Sequence, residues 1–252
     1  VIPGLPLNGI ERASSQKGGT RNPEMDPRVS PPTGGSPEDD IQIRFWNDRK
    51  IKNMELQSEK TLVLLKPDTV QRNLIGEIIS RFERVGVKIV ALKFLIPTKK
   101  QAYEHYVKNE AEIVALGQRS IEGQKKSGIE VKEDPKIQGQ KIINKLVRFL
   151  SSSPVVAIVL EGNQAIAVTR KLVGSTEPLQ SAVGTVRGDY TVDSYALADN
   201  GDRAVRNLVH ASSSQFDSEY EIKVWFTEKE VVSYKNVRDR ILYDVNFDSI
   251  NE

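Results

Sequence analysis

The run Thr61-Leu62-Val63-Leu64-Leu65, stopped by Lys66-Pro67, constrains the fold more than any other stretch of this 252-residue chain. It is almost continuously apolar, so it reads as a buried strand that delivers a lysine at its tip. Ile75, Ile78, Ile79, Phe82 and Val85 follow at helical spacing, and Gly86 closes that helix. Val87 to Ile96 is a second strand, stopped by Pro97, and Thr98 caps a helix that carries His105 and Tyr106. Pro154 to Leu160 is a third strand; Asn163 caps a further helix that holds Arg170 and ends at Gly174. This β-α-β, helix, β-α order predicts a ferredoxin-like α+β fold, a four-stranded antiparallel sheet with helices packed on one face, plus insertions.

The rhythm does not extend over the whole chain. Residues 1 to 40 hold seven of the twelve prolines and six of the seventeen glycines, so they bury too little to offset their ordering entropy. We expect residues 1–53 to be a disordered extension and 54–252 to be the working domain, with Met54 a natural start point. Within the extension, Ile41-Gln42-Ile43-Arg44-Phe45-Trp46 alternates like a short strand or a docking motif. Two segments break the rhythm of the domain and read as insertions, near 108–141 and 192–204. The first holds seven Lys/Arg and six Asp/Glu with few apolar positions, which favours a solvated surface over a substrate lid. A formal net charge of +2 gives no strong field toward nucleic acid or membrane, and no apolar run reaches spanning length. The absence of cysteine fits a reducing cytoplasm, and residues 1–10 lack the basic start of a signal peptide.

The chemistry-bearing residues cluster late. His210, one of two histidines, follows the apolar pair Leu208-Val209 and precedes three serines, of which Ser214 can cap a helix with Asp217 completing a capping box. An imidazole at a strand end beside a helix N-terminus suits a nucleophile that must meet an anion. Glu221, two turns into that helix, is placed to reach back and orient the ring. Alone, a histidine near a glutamate is more often structural than catalytic. What strengthens the functional reading is the rest of the chain.

The chain resembles the nucleoside diphosphate kinase family. The blocks that carry the likeness are Lys66-Pro67-Asp68 with Val70-Gln71-Arg72, Gly76-Glu77-Ile78-Ile79 with Arg81-Phe82-Glu83, His105-Tyr106, and Pro154-Val155-Val156-Ala157. Arg170, Gly174-Ser175-Thr176-Glu177-Pro178, Gly184 to Tyr190, Asn207 to Ser212, and Glu221 with Trp225-Phe226 complete the set. They stand in the family's order across roughly residues 59 to 244, far more specific than any single motif.

The resemblance implies the same fold and a transfer of the γ-phosphate of ATP or another triphosphate to a nucleoside diphosphate through phosphohistidine on His210. It implies that Arg170, Thr176 and Arg187 bind phosphates, and that Lys66 and Asn207 reach the sugar hydroxyls and the transferring phosphate. Tyr106 assists beside Lys66, and Glu221 holds the ring with Ser212 bridging to it. Mg²⁺ arrives on the nucleotide rather than in a protein cage, and the implied assembly is a tetramer or hexamer built from dimers. Two departures stand out. His210-Ala211-Ser212-Ser213 replaces the family's His-Gly-Ser-Asp, and Ile142 takes the place of a base-stacking aromatic, with Leu146 one turn on as the matching apolar contact. His105 reads as structural. The rival is an inactive scaffold or nucleic-acid-binding relative, disfavoured because the histidine, its glutamate and the arginines are all retained.

Overall fold

The structure, a computed structural model, describes residues 40–41, 43–44, 59–126, 128 and 130–243. Its centre is strand β1 (Glu59–Leu65), which pairs antiparallel with β3 (Val155–Gly162) on one side and with β4 (Val209–Ala211) on the other. β2 (Lys88–Leu95) adds to the outer side of β3, giving the order β2-β3-β1-β4. This is the ferredoxin-like, all-antiparallel arrangement anticipated from the order of elements.

Between β1 and β2 lie helices α1 (Pro67–Gln71) and α2 (Ile75–Val85). α3 (Lys99–Tyr106), α4 (Glu110–Lys126) and α5 (Pro135–Leu150) connect β2 to β3. α6 (Ala165–Val173), α7 (Val186–Tyr190) and α8 (Tyr195–Asn200) lead to β4, after which come α9 (Gln215–Trp225) and α10 (Val237–Tyr243). Local signals explain several ends. Thr98 Oγ1 accepts from Gln101 N at the start of α3, and Gly86 at φ +100° ends α2. The start of α6 differs from the reading: its cap is Gln164 at φ +48°, one residue beyond Asn163, with no side-chain bond.

The helices cover both faces of the sheet, not one. Val63, Leu65, Val156, Ile158 and Leu160 face α2 and α6 through Ile78, Phe82, Ala165 and Val173. Leu62, Leu64, Val155, Ala157 and Val159 face Ala102, Leu150, Trp225 and Phe226. The reason is visible in the strands themselves. β1 and β3 are apolar at consecutive positions, which requires cover on both sides, and each such fully buried side chain contributes roughly 1.5–3 kcal/mol.

The first charged segment is helical. α4 runs against α5 with Ile113, Gly117 and Ile121 buried. The two helices cross at glycines: a Cβ on Gly117 would lie 1.8 Å from Pro135 O, and one on Gly139 would lie 1.9 Å from Ile113 O. The second segment contains α8, and its Asp202 pairs with Lys145 of α5 at 2.7 Å. Asp40, Ile41, Ile43 and Arg44 are helical rather than extended. The rest of the 1–53 extension lies outside the described residues. No helix among the described residues is long and apolar enough to cross a membrane.

Candidate active site

His210 sits in the middle of β4, opposite Leu64 of β1, with a half-buried side chain. Its Nε2 lies 2.8 Å from Oε2 of the buried Glu221 on α9. Ser212 Oγ donates to the same carboxylate oxygen at 2.7 Å. Because a carboxylate only accepts, Nε2 carries the hydrogen and Nδ1 keeps its lone pair. Ser214 Oγ accepts from Asp217 N and so caps α9, but the Asp217 carboxylate does not close a capping box. It instead takes Ser213 Oγ and the Lys108 ammonium.

The residues before His210 are tightly held. Leu208 is fully buried at φ +66°, a conformation costly for a branched side chain. Val209 N donates back to Asn207 O at 2.7 Å, a γ-turn of the rare positive-φ kind. Surrounding bonds secure it: Leu208 N donates to Asp68 Oδ2, and Leu208 O accepts from Lys66 N and Thr69 Oγ1. This clamp ties β4 to the Lys66-Pro67-Asp68 turn at the tip of β1.

Around that clamp the cations converge. Lys66 Nζ donates to Asn207 Oδ1 at 2.7 Å, and Asn207 Nδ2 donates to Thr176 O at 2.7 Å. Burial, then the charge of Arg187, lowers the Lys66 pKa to about 8. Arg187 is itself buried, donating to Asn207 O, Gly174 O and Val209 O. Desolvation brings its pKa down to about 10. Arg170 and the Thr176 side chain are exposed nearby, and Arg170 is close enough to repel Arg187. Tyr106 has a buried hydroxyl without a hydrogen-bond partner, and burial raises its pKa, aided by Asp68 and Glu221. Ile142 and Leu146 are half-buried, one turn apart on α5.

A cluster of buried cations close to one nucleophilic nitrogen suits a polyphosphate. The match of the chain to a family model described as nucleoside diphosphate kinase, over residues 59–115 and 135–231, gives that chemistry a lineage. The chain belongs to the nucleoside diphosphate kinase family. It is 45% identical over 179 residues to the nucleoside diphosphate kinase of Pyrobaculum aerophilum, covering 69% of this chain and 98% of that one. It is 38% identical over 186 residues to that of Staphylococcus epidermidis, covering 74% and 99%. Among solved structures, an NDP kinase from Pyrobaculum aerophilum superposes with a TM-score of 0.67 at 43% identity, covering 70% of this chain and 100% of that one. A nucleoside diphosphate kinase from Borrelia burgdorferi, described as a transition-state mimic with bound vanadate and ADP, gives 0.61 at 36% identity, covering 73% and 96%. Within the family match, residues 116–134 are passed over; they span most of α4 and its link to α5.

Several neighbours of the candidate site in this nucleoside diphosphate kinase family member were not among the sequence candidates. Lys108 binds Asp217 at 2.5 Å and stands 3.8 Å from Glu221, a cation hidden in a charged segment with no distinguishing pattern. Arg206, one residue before Asn207, lies over the Phe149 ring at 3.8 Å. Asp68 lay inside a quoted motif without a role; its carboxylate holds Leu208. His105, read as structural, packs with its ring 4.4 Å from that of His210. A cleft of about 450 Å³ between α9 and residues 226–233 holds none of these groups.

The one group of three potential ligands among the described residues is His105, His210 and Glu221. Two imidazoles and one carboxylate are a poor match for a hard cation that favours oxygen.

Proposed function

We propose that this chain transfers the γ-phosphate of a nucleoside triphosphate, usually ATP, to a nucleoside diphosphate in two half-reactions through phosphohistidine on His210. The observation that carries this reading is the His210 Nε2–Glu221 contact of 2.8 Å, which leaves the Nδ1 lone pair for attack, one residue after the Val209 carbonyl that the buried Arg187 holds. In the first half-reaction Nδ1 attacks the γ-phosphorus, an N–P bond forms, and the bond to the β,γ-bridging oxygen breaks. The diphosphate leaves with that electron pair, and the charge gained by the ring is balanced by Glu221, itself fixed by Ser212. A second diphosphate reverses these steps and takes the group, so the kinetics are ping-pong.

Arg187, Arg170 and Thr176 bind the phosphates in this reading, and Lys66, Asn207 and Tyr106 serve the sugar and the transferring group. The unpartnered Tyr106 hydroxyl is available for that purpose. Ile142 and Leu146 form the apolar wall for the base. Magnesium on the nucleotide neutralises phosphate charge as part of the substrate. Residues 54–252 form the catalytic unit, with enlarged segments at 108–141 and 192–204, in a cytoplasmic setting that supplies ATP.

A homo-oligomer built from dimers belongs to the same reading. β2 lies at the sheet edge and exposes Leu92 and Phe94, with Ile96 just beyond it, at 51%, 61% and 64%. Val232 N covers the Val90 carbonyl, and the apolar stretch of the edge beyond it invites pairing with a second copy.

Incubation with γ-labelled ATP tests the central claim. Label that is lost in acid, kept in base and discharged by a diphosphate supports it; absence of any phosphoenzyme intermediate refutes it. Retention of the histidine–glutamate pair and the buried cations argues against the inactive-scaffold alternative.

A further inference from the structure

His105 is a buried imidazole that the reaction as written leaves unused. It lies in the last turn of α3, 2% exposed, and its ring contacts three others. Tyr106 is at 4.7 Å, Trp225 at 5.7 Å and His210 at 4.4 Å between centroids, the last at 85°. Trp225 Nε1 donates to His105 Nδ1 at 3.3 Å. An indole N–H can only donate, so Nδ1 is the acceptor and the hydrogen of the neutral ring sits on Nε2. That Nε2 is buried without a hydrogen-bond partner. Burial, then the charges of His210, Lys66 and Lys108, keeps the ring far from protonation.

Two readings of the His105–His210–Glu221 group compete, since its ligand atoms all lie within 4.8 Å of one another. A transition-metal site would need a lone pair from His105, yet Nδ1 is taken by Trp225 and Nε2 bears the hydrogen. A ring kept only for stability would satisfy both nitrogens. What His105 does present is a rigid body against the His210 ring, its own rotation pinned by Trp225.

We propose that His105 is a positioning residue: wedged against His210, it prevents that imidazole from turning and thereby dictates that Nδ1, and not Nε2, receives the phosphoryl group. The inference rests on the phosphohistidine reading above. A turn of His210 about its Cβ–Cγ bond would take Nε2 off Glu221 and direct a carbon where Nδ1 had been. Ring rotation therefore costs rate, and once Nε2 is released from the carboxylate it can itself be phosphorylated.

Two substitutions separate wedge from stability. His105→Asn removes the ring while its amide oxygen can still accept from Trp225; His105→Phe keeps the bulk and leaves the indole N–H unpaired. The phosphoenzyme is formed with ATP, trapped in base, and its Nδ1 and Nε2 isomers are resolved by ³¹P NMR, alongside single-turnover rates, ADP affinity and thermal unfolding. We expect His105→Asn to transfer phosphate about 100-fold more slowly, as misplacement of a reacting group does, with ADP affinity within about two-fold and part of the phosphate on Nε2. His105→Phe unfolds at lower temperature yet keeps the Nδ1 isomer and most of the rate. The proposal is overturned if His105→Asn forms only the Nδ1 isomer at the wild-type rate, if its ADP affinity falls in step with rate, or if His105→Phe scrambles the isomers equally. Wild-type protein that forms no phosphohistidine would instead refute the underlying reaction.

Discussion

The two ends of the proposed nucleotide site are built on opposite principles. At the phosphate end, Lys66, Asn207 and Arg187 are 6%, 4% and 7% exposed, and each is bonded to the others or to main chain. At the base end, Ile142 and Leu146 are half-buried aliphatics on α5, with no polar group of their own to read a base edge. Preorganised charge at one end favours chemistry, whereas an apolar wall at the other accepts any base face. The difference teaches that, in the proposed reading, buried polar groups serve the phosphates and shape alone serves the base.

The sharpest way to break that contrast is to remove the nucleophile. His210→Ala should lose phosphoenzyme formation entirely while the fold persists, as seen by labelling and circular dichroism. Labelling that survives there but vanishes in His105→Ala would move the nucleophile to the other histidine.

Arg187→Ala comes next. Three carbonyls lose a donor, so we expect destabilisation of about 3 kcal/mol in urea titrations, in the range for orphaned buried groups. We expect kcat to fall by about 100- to 1,000-fold, the usual loss for a transition-state donor. Unchanged kinetics would return Arg187 to a purely structural part. Arg187→Lys should recover little, since a point charge cannot span three carbonyls.

A smaller effect concerns pH. Lys66 has its pKa lowered by burial to about 8 from 10.5. Between those values the unfolded chain holds a proton that the folded protein has released, so this group makes stability rise with pH across that window. Below pH 8 the cost of the buried charge is fully present. In the proposed reading nucleotide binding needs that charge, so kcat/KM should fall as pH rises through about 8 while thermal stability does not fall with it. Lys66→Met should flatten both slopes; an alkaline limb that survives in Lys66→Met would assign it elsewhere.

The smallest effects belong to the base end. Values of kcat/KM for ADP, GDP, CDP and UDP should lie within about ten-fold of one another, because discrimination by orders of magnitude requires polar groups left unpaired by the wrong base. Ile142→Phe should tighten binding of every nucleotide about two- to ten-fold, matching the 0.5–1.5 kcal/mol of an aromatic contact. Tightening of one base only, by equilibrium dialysis, would reveal an edge contact and erase the contrast between the two ends.

Much of this architecture was legible in one dimension. Consecutive apolar residues in Leu62–Leu65 and Val155–Leu160 specified buried strands, and Thr98 and Gly86 marked helix ends through capping and positive φ. The continuity of those runs also held the information that both sheet faces are covered, which a reading of helices on one face passed over. Charged residues around it concealed α4, whose buried line runs through Ile113, Gly117 and Ile121. Close approach at two glycines replaces side-chain volume, and glycine carries no periodic signal.

By itself the sequence determined which residues could carry charge, nucleophilicity and strand or helix, because those are properties of side chains and their local spacing. Only the tertiary structure decided that Asp68 secures the strained Leu208, that Lys108 stands beside Glu221, and that His105 lies against His210. Those pairs are separated by 140, 113 and 105 positions along the chain. Their contacts exist because β4 inserts beside β1 while α3 and α9 pack on the same sheet face. Long-range pairing of this kind is a consequence of packing and leaves no spacing to read.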